Sequence, residues 1–513
     1  MRYPLQVRLA LLYGALLVLA GVGFSPVGFD RYTIWVQLKV VGWSLSFVPL
    51  LLLVSSVLRE RAARQRLSWP TTLPMWAAAV LAAVIVARGL LSPTSTGWLG
   101  YFSLPEGALF HLSLCAAFVL VAWLGSHIPA LRRVVVASVV LVAVVASLLA
   151  IPQTFDWRID YVYPGGPDVG ELNVPTASGV YRGQSPNSVF WHRGHLGIVA
   201  AIGLIVACHA NLRDRGRGGG LVGAATTFAV VVTALAVVIS DTRAPQLAGA
   251  IGVAALWVGV YHFGVVRERA PGTASERWRW FLARQVLPVF AGALIGLVLS
   301  FATGGGRGMS VVGLVSGQAA ASDVLTSTSG RAYPWSLAWT AWLERPLFGH
   351  GFFHFHRVMA ADLVARAIER GDLDADAVSR MEVRESSVQV QREDGTLWWG
   401  RLWGTKPHNF VLEHLVNMGL LGLLAASFFY GSLVVVGLWT KRPIALAVLA
   451  AWLVYLWFWY ESIQYSPLVW VLLAAVVAGA RLDSAGRACV LSGDLRQSTQ
   501  VMGASTRRDG ASE

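Results

Sequence analysis

"GTKPHNFVLEHLVNMGLLGLL", residues 404–424, sets a Pro-His-Asn triplet directly before a long apolar run. The run continues to about residue 439, enough to cross a hydrocarbon core of ~30 Å as a helix. Pro407 fixes the entry and Asn409 suits the capping position, so His408 stands at the doorstep of a membrane helix. That doorstep offers backbone N–H donors and a positive dipole end, which suit anionic groups. A histidine there that is neutral at pH 7 can take a proton from a hydroxyl, although on its own it reads first as a capping or interfacial residue.

The rest of the chain repeats the apolar pattern. Of 513 residues, 55% are hydrophobic and 13% charged, which excludes an ordinary soluble protein. Apolar runs fall at about 7–24, 34–58, 75–91, 108–125, 134–152, 195–210, 221–240, 246–266, 285–302, 418–439, 443–460 and 466–480, giving twelve expected spans. The 22 Trp and 13 Tyr fit anchors at the two interfaces. The net charge of +13 points to loops held on the cytoplasmic side, not to nucleic acid. Arg59, Arg61, Arg64 and Arg66, then Arg132 and Arg133, Arg213, Arg215 and Arg217, and Lys441 and Arg442 occupy alternate loops, which places both termini in the cytoplasm. Cys115, Cys208 and Cys489 lie in apolar runs and a tail, so no disulfide framework is expected.

The expected organisation is an all-α polytopic membrane domain over 1–482 and a polar, disordered cytoplasmic tail over 483–513. Two long outer loops, 153–194 and 303–417, interrupt it. Outer loops of that length carry packing or a ligand. Within the second, "YPWSLAWTAWLERPLFGHG" has helical spacing up to Pro346, and "RVMAADLVARAIER" reads as a short amphipathic helix ending at Gly371. "SVQVQREDGTLWWG" alternates around Asp394-Gly395, a hairpin signal.

Two arginines stand out on the outer side. Arg243 lies in the tight turn "SDTRAP", and Arg331 lies in "TSTSGRAYPW". A guanidinium is permanently charged and forks onto phosphate or carboxylate. Retention at a span end marks function or an anchor to headgroups, and two such arginines beside a histidine favour function. Together they suggest transfer of a sugar from a lipid-linked diphosphate. The arginines would hold the growing phosphate charge without a metal, and His408 would activate an acceptor hydroxyl. One displacement inverts the anomeric centre. "GVYRGQSPNSVFWHRGHLG" contributes Arg182, Arg193 and His195 as a candidate binding segment or interfacial anchor. Asn409, Glu413 one turn beyond it, and Glu461 in "WYESIQYSP" complete the candidate substrate contacts, Glu461 reading also as a solvated turn charge. "FGHGFFHFH" gathers His350, His354 and His356, but no cysteine or carboxylate is adjacent, and no metal or other cofactor is expected.

The segments "YRGQSPNSVFWHRGHLG", "ISDTRAPQLAGAIG", "SGRAYPWSLAWTAWLERPLFGHG" and "PHNFVLEHLVNMGLLGLL", in this order, resemble the O-antigen ligase / O-antigen polymerase superfamily, the Wzy_C-type membrane glycosyltransferases. The resemblance runs from about 182 to 430. It implies a twelve-helix, GT-C-like architecture with a large periplasmic loop at the bacterial inner membrane. It also implies an undecaprenyl-diphosphate-linked glycan donor and metal-independent chemistry on the periplasmic face. The family's two essential arginines fall on Arg243 and Arg331 and its histidine on His408. The acceptor would be lipid A-core or another glycan for a ligase, the growing chain for a polymerase, and a protein for an O-glycosyltransferase. The stretch between "GHG" and "PHN" is long here, which leaves the acceptor open. The rival from another class is a lipid-linked oligosaccharide flippase or transporter, expected to show broken helices and repeat symmetry.

Overall fold

The computed structural model describes residues 4–23, 33–62, 73–91, 94–101, 104–155, 186–190, 192–213, 220–266, 272–303, 331–374, 378–384, 387–402 and 406–478. Arg182, Cys489, most of 153–194, residues 304–330 and the tail from 479 lie outside them. The fold is all-α. A helix coincides with each of the twelve apolar runs, because only a helix satisfies its own backbone groups within lipid. Ten are long and apolar enough to cross a membrane, and two, Pro443–Phe458 and Ser466–Ala478, are shorter.

The membrane helices are α1 Leu5–Val22, α2 Thr33–Ala62, α3 Leu73–Leu91, then, after the short α4 Ser95–Leu99, α5 Ala108–Gly125, α6 Pro129–Gln153, α7 Arg193–Arg213, α8 Leu221–Ile239, α9 Arg243–His262 and α10 Ala274–Ala302. Helix α7 is the centre of the bundle, buried along nearly all its length, whereas α10 is mostly exposed at the edge. It touches α6, α8 and α9, and Gly197 lets the Pro245 ring of α9 lie against its backbone. Helix α10 begins outside the apolar run with a capping box, Thr273 and Glu276, and passes through a π-helical turn, Leu282–Val286.

The next described elements are α11 Ala332–Glu344 and α12 His354–Glu369, followed by β1 Val378–Val383, β2 Ser387–Arg392 and β3 Leu397–Arg401. The strands form an antiparallel sheet in the order β1-β2-β3, with Val388 opposite Gly400 and Val390 opposite Trp398. Val388 and Val390 alternate onto one face and join Ala360, Val364 and Ala367 of α12 in a small second core. Asp394 and Gly395 make the β2–β3 turn, where the Asp394 carboxylate accepts from the Thr396 backbone N–H at 2.8 Å.

Helix α13, Phe410–Trp439, starts eight residues before the apolar run and is not continuous. Gly419 takes φ 65° and ψ −163° and breaks the ladder. The freed backbone groups are taken up by the segment 346–351: His350 N–H donates to the Val416 carbonyl at 2.7 Å, Gly351 N–H to Asn417 at 2.9 Å, and Leu420 N–H to Pro346 at 2.8 Å. A side chain at Gly419 would meet the backbone of Leu347, and one at Gly349 (φ 64°) the backbone of Met418 and Gly419. The apolar run at 418–439 is thus helical, and the break at Gly419 separates it from the first turns of α13 and is patched by the chain's own segment 346–351. Helices α14 Pro443–Phe458 and α15 Ser466–Ala478 close the bundle, with α14 packed along α9.

Candidate functional site

One indole organises the site. Trp459 follows the last residue of α14, is 4% exposed, and stacks on Tyr455 at 5.9 Å. Around it stand the His408 ring at 5.3 Å, the Arg331 guanidinium at 5.5 Å, His192 at 4.8 Å and His195 at 5.3 Å. These come from three stretches of chain, and each is delivered by a helix end. Arg331 is the N-cap residue of α11 and His192 immediately precedes α7. Arg243 is the first residue of α9, and its charge acts on Arg331, whose guanidinium pKa is lowered by burial first and then by Arg243. Both remain cations at any physiological pH.

The turn before Arg243 is pinned. Asp241, in left-handed backbone (φ 48°), accepts from the Arg193 guanidinium at 3.3 Å, tying α8–α9 to the start of α7. Arg193 therefore holds the arginine turn in place. His195 packs its ring on Trp459 and on Tyr465 at 4.7 Å.

His408 has φ 54°, and its Nδ1 lies 2.9 Å from the Lys406 carbonyl oxygen. A carbonyl only accepts, so Nδ1 carries the proton and Nε2 keeps its lone pair. Burial, then the charge of Arg331, lowers the His408 pKa to about 4. The ring is neutral at pH 7, with a basic nitrogen on the same indole as the Arg331 guanidinium. His192 is pushed well below its ordinary range by burial, then by His195, Arg193, His408 and Arg331. The Trp459 Nε1–H is buried and has no hydrogen-bond partner among the described residues. It is an open donor in the middle of the cluster.

The remaining candidates support this centre from behind. Asn409 caps α13, accepting from Leu412 N–H at 3.0 Å and donating to the Trp457 carbonyl at 2.8 Å. Both functions of its amide are thus used by the fold. Glu413 pairs with Lys406 at 3.1 Å, and Lys406 also pairs with Glu106 at 2.8 Å and donates to the Glu461 carbonyl at 3.1 Å. Burial disfavours the Lys406 charge, but Glu106 and Glu413 outweigh it and raise the pKa. Glu461 is 2% exposed, which overturns its reading as a solvated turn charge. Its carboxylate accepts from the Tyr430 hydroxyl at 2.9 Å and the Trp470 indole at 2.7 Å, and faces His111 at 3.2 Å. Burial alone would raise its pKa, yet the His111 hydrogen bond and charge hold it below the ordinary range. His350 and His354 stack at 4.0 Å while His356 turns to the Tyr101 hydroxyl at 2.7 Å. The structure thus gathers Arg243, Arg331, His408 and His195, leaves Arg182 outside the described residues, and adds Trp459, His192, Lys406, Glu106 and His111.

Cationic groups, a neutral imidazole with a free lone pair and an open indole N–H form a place for a polyanion next to a proton acceptor. Residues 228–427 match the Wzy_C family model, described as O-antigen ligase. No curated protein matches the chain. The matched segment contains Arg243, Arg331, His408, Asn409 and Glu413, and leaves Trp459, His192, His195 and Glu461 outside it. With the helices described above, the chain is a multi-pass membrane protein carrying an O-antigen ligase-type segment. Wzy_C members are membrane glycosyltransferase-like enzymes of ligase or polymerase type, a function class this segment supports.

Proposed function

We propose that the protein is an inverting glycosyltransferase that moves a glycan from undecaprenyl diphosphate to a hydroxyl acceptor, in the manner of an O-antigen ligase. The observation that carries the reading is the convergence of Arg331 and His408 on Trp459, with the charge of Arg243 acting on Arg331 and the lone pair on His408 Nε2. Arg243 and Arg331 hold the diphosphate and take up the charge that grows on it as the anomeric C–O bond breaks. The acceptor hydroxyl attacks that carbon from the opposite face and gives its proton to Nε2. The leaving diphosphate is already a stable anion, so no general acid is required. The Trp459 N–H is positioned to donate to the same substrate.

Donor arrival also tunes the base. The charges that depress His408 are those a diphosphate would offset, so binding of the donor raises the pKa of the base as it is needed. By the positive-inside pattern the site lies on the periplasmic face of the inner membrane, with both termini cytoplasmic. The acceptor is lipid A-core or another glycan; a Wzy-type polymerase is the alternative, using the same donor and the growing chain.

A flippase would use a broken helix as part of an open path. The break at Gly419 is instead filled by hydrogen bonds from 346–351, which favours a fixed scaffold. The test is purified protein in nanodiscs with a pool of undecaprenyl-diphosphate glycans, following release of undecaprenyl diphosphate and, in parallel, movement of the lipid between leaflets. Release with transfer of the glycan supports the proposal; lipid movement without release makes the protein a flippase. Mass analysis of the glycan product separates ligase from polymerase.

A further inference from the structure

A second cationic cluster lies where 345–357 meets the end of α3, away from Trp459. Arg88, in the last turn of α3, is 5% exposed. Its Nε donates to the Asn417 carbonyl at 3.3 Å, one of the groups beside the break in α13. Its Nη2 is buried with no hydrogen-bond partner among the described residues. A guanidinium buried with a donor left open is a costly arrangement unless an anion completes it.

The neighbouring charges are of the same sign. Burial, then His350, Arg357, Arg345 and Arg88, holds His354 down to about 4. Arg345 and Arg357 are exposed, whereas Arg88 is buried. His354 is the first residue of α12, and the N-cap residue Phe353 supplies no side-chain acceptor, so the positive end of a 16-residue helix opens there. His350 stacks on His354 but spends its Nε2 on the Ala341 carbonyl at 2.6 Å, and Glu344, 3.7 Å from it, keeps its side chain 67% exposed. Beside Arg345, the side chains of Leu343, Leu347 and Phe348 are 52–57% exposed. An exposed apolar patch of this kind fits against acyl chains at a membrane interface.

We propose that Arg88, Arg345, Arg357 and His354 bind the phosphate of an anionic lipid, whose acyl chains lie along Leu343, Leu347 and Phe348. The fork of Arg88 takes the phosphate from below, and the two exposed arginines close over it. Packing also links the cluster to the Trp459 site: Phe352 lies on His111 at 5.2 Å, and His111 faces Glu461. Lipid binding uses none of the residues assigned to the transfer reaction.

The test uses the full chain in a neutral detergent, with native mass spectrometry counting retained dioleoylphosphatidic acid, and dioleoylglycerol as the phosphate-free control. Wild type and His408→Ala should retain phosphatidic acid and not dioleoylglycerol. Arg88→Gln should weaken retention at least about tenfold, the loss expected for a charge-assisted contact. The exposed double variant Arg345→Ala/Arg357→Ala should do the same, and it leaves the buried structure untouched should Arg88→Gln fail to fold. Equal retention by wild type and the double variant overturns the site. Inorganic phosphate that binds as tightly as phosphatidic acid overturns the lipid and leaves a soluble phosphate as the ligand.

Discussion

Replacing Lys406 by Met would remove the cation between Glu106 and Glu413. Those carboxylates are 1% and 4% exposed, and lie 2.8 and 3.1 Å from the ammonium. Breaking a buried ion pair from one side leaves an uncompensated charge and costs about 3–5 kcal/mol. Here one cation serves two carboxylates, so the upper part of that range is expected. One carboxylate would relieve the site by taking up a proton, so the deficit should be smaller at pH 5 than at pH 8. Thermal unfolding can be followed by a thiol-reactive dye, since Cys115 and Cys208 are free and buried until the bundle opens. The triple variant Lys406→Met/Glu106→Gln/Glu413→Gln should recover most of the loss, because no charge is then stranded. A Lys406→Met protein within about 1 kcal/mol of wild type, the scale of a surface pair, would refute the reasoning.

Three further outcomes follow from the geometry. His408 acts as a neutral base, so kcat/KM should fall as the pH drops through about 4, and the acid limb of kcat should lie higher because bound diphosphate offsets Arg331; a kcat limb below that of kcat/KM would contradict this. Glu461, with its pKa held below the ordinary range of about 4.3, contributes stability that is present above that value and lost as the pH falls through the lower folded value; Glu461→Gln should shrink the acid-side loss in thermal scans. Gly419→Ala places a methyl on the Leu347 backbone and forces a left-handed φ on a residue with Cβ, so it should lower thermal stability by about 1–3 kcal/mol, whereas Gly431→Ala, with open space at its Cβ, should cost less than about 0.5 kcal/mol.

The apolar runs were legible because membrane helices need length and little else, and the turn at Asp394-Gly395 because its chemistry is local. Arg243, Arg331 and His408 stood out as polar residues at span ends. What stayed hidden depends on distant partners. Glu461 meets His111 across 350 residues, and Lys406 meets Glu106 across 300, so neither burial nor pairing shows in a local window. Lys406 sits in the very stretch that holds His408, yet nothing near it marks the ion network behind it. Trp459 reads as one more interfacial tryptophan until the rings of three histidines are found around it. Gly419 lies in "NMGLLGLL", which reads as uninterrupted helix; the break exists because 346–351 supplies the missing hydrogen bonds. Strand β1, "VSRMEV", lacks clean alternation and is recruited by pairing with β2.

The most direct measurement is release of undecaprenyl diphosphate, with and without EDTA, by wild type and by His408→Ala, Arg243→Ala and Arg331→Ala in nanodiscs. Wild-type release should persist in EDTA. Loss of the base should slow it by about 10²–10⁴-fold, and loss of either arginine by about 10²–10³-fold. Wild-type rates retained in His408→Ala, or release abolished by EDTA, would contradict the account.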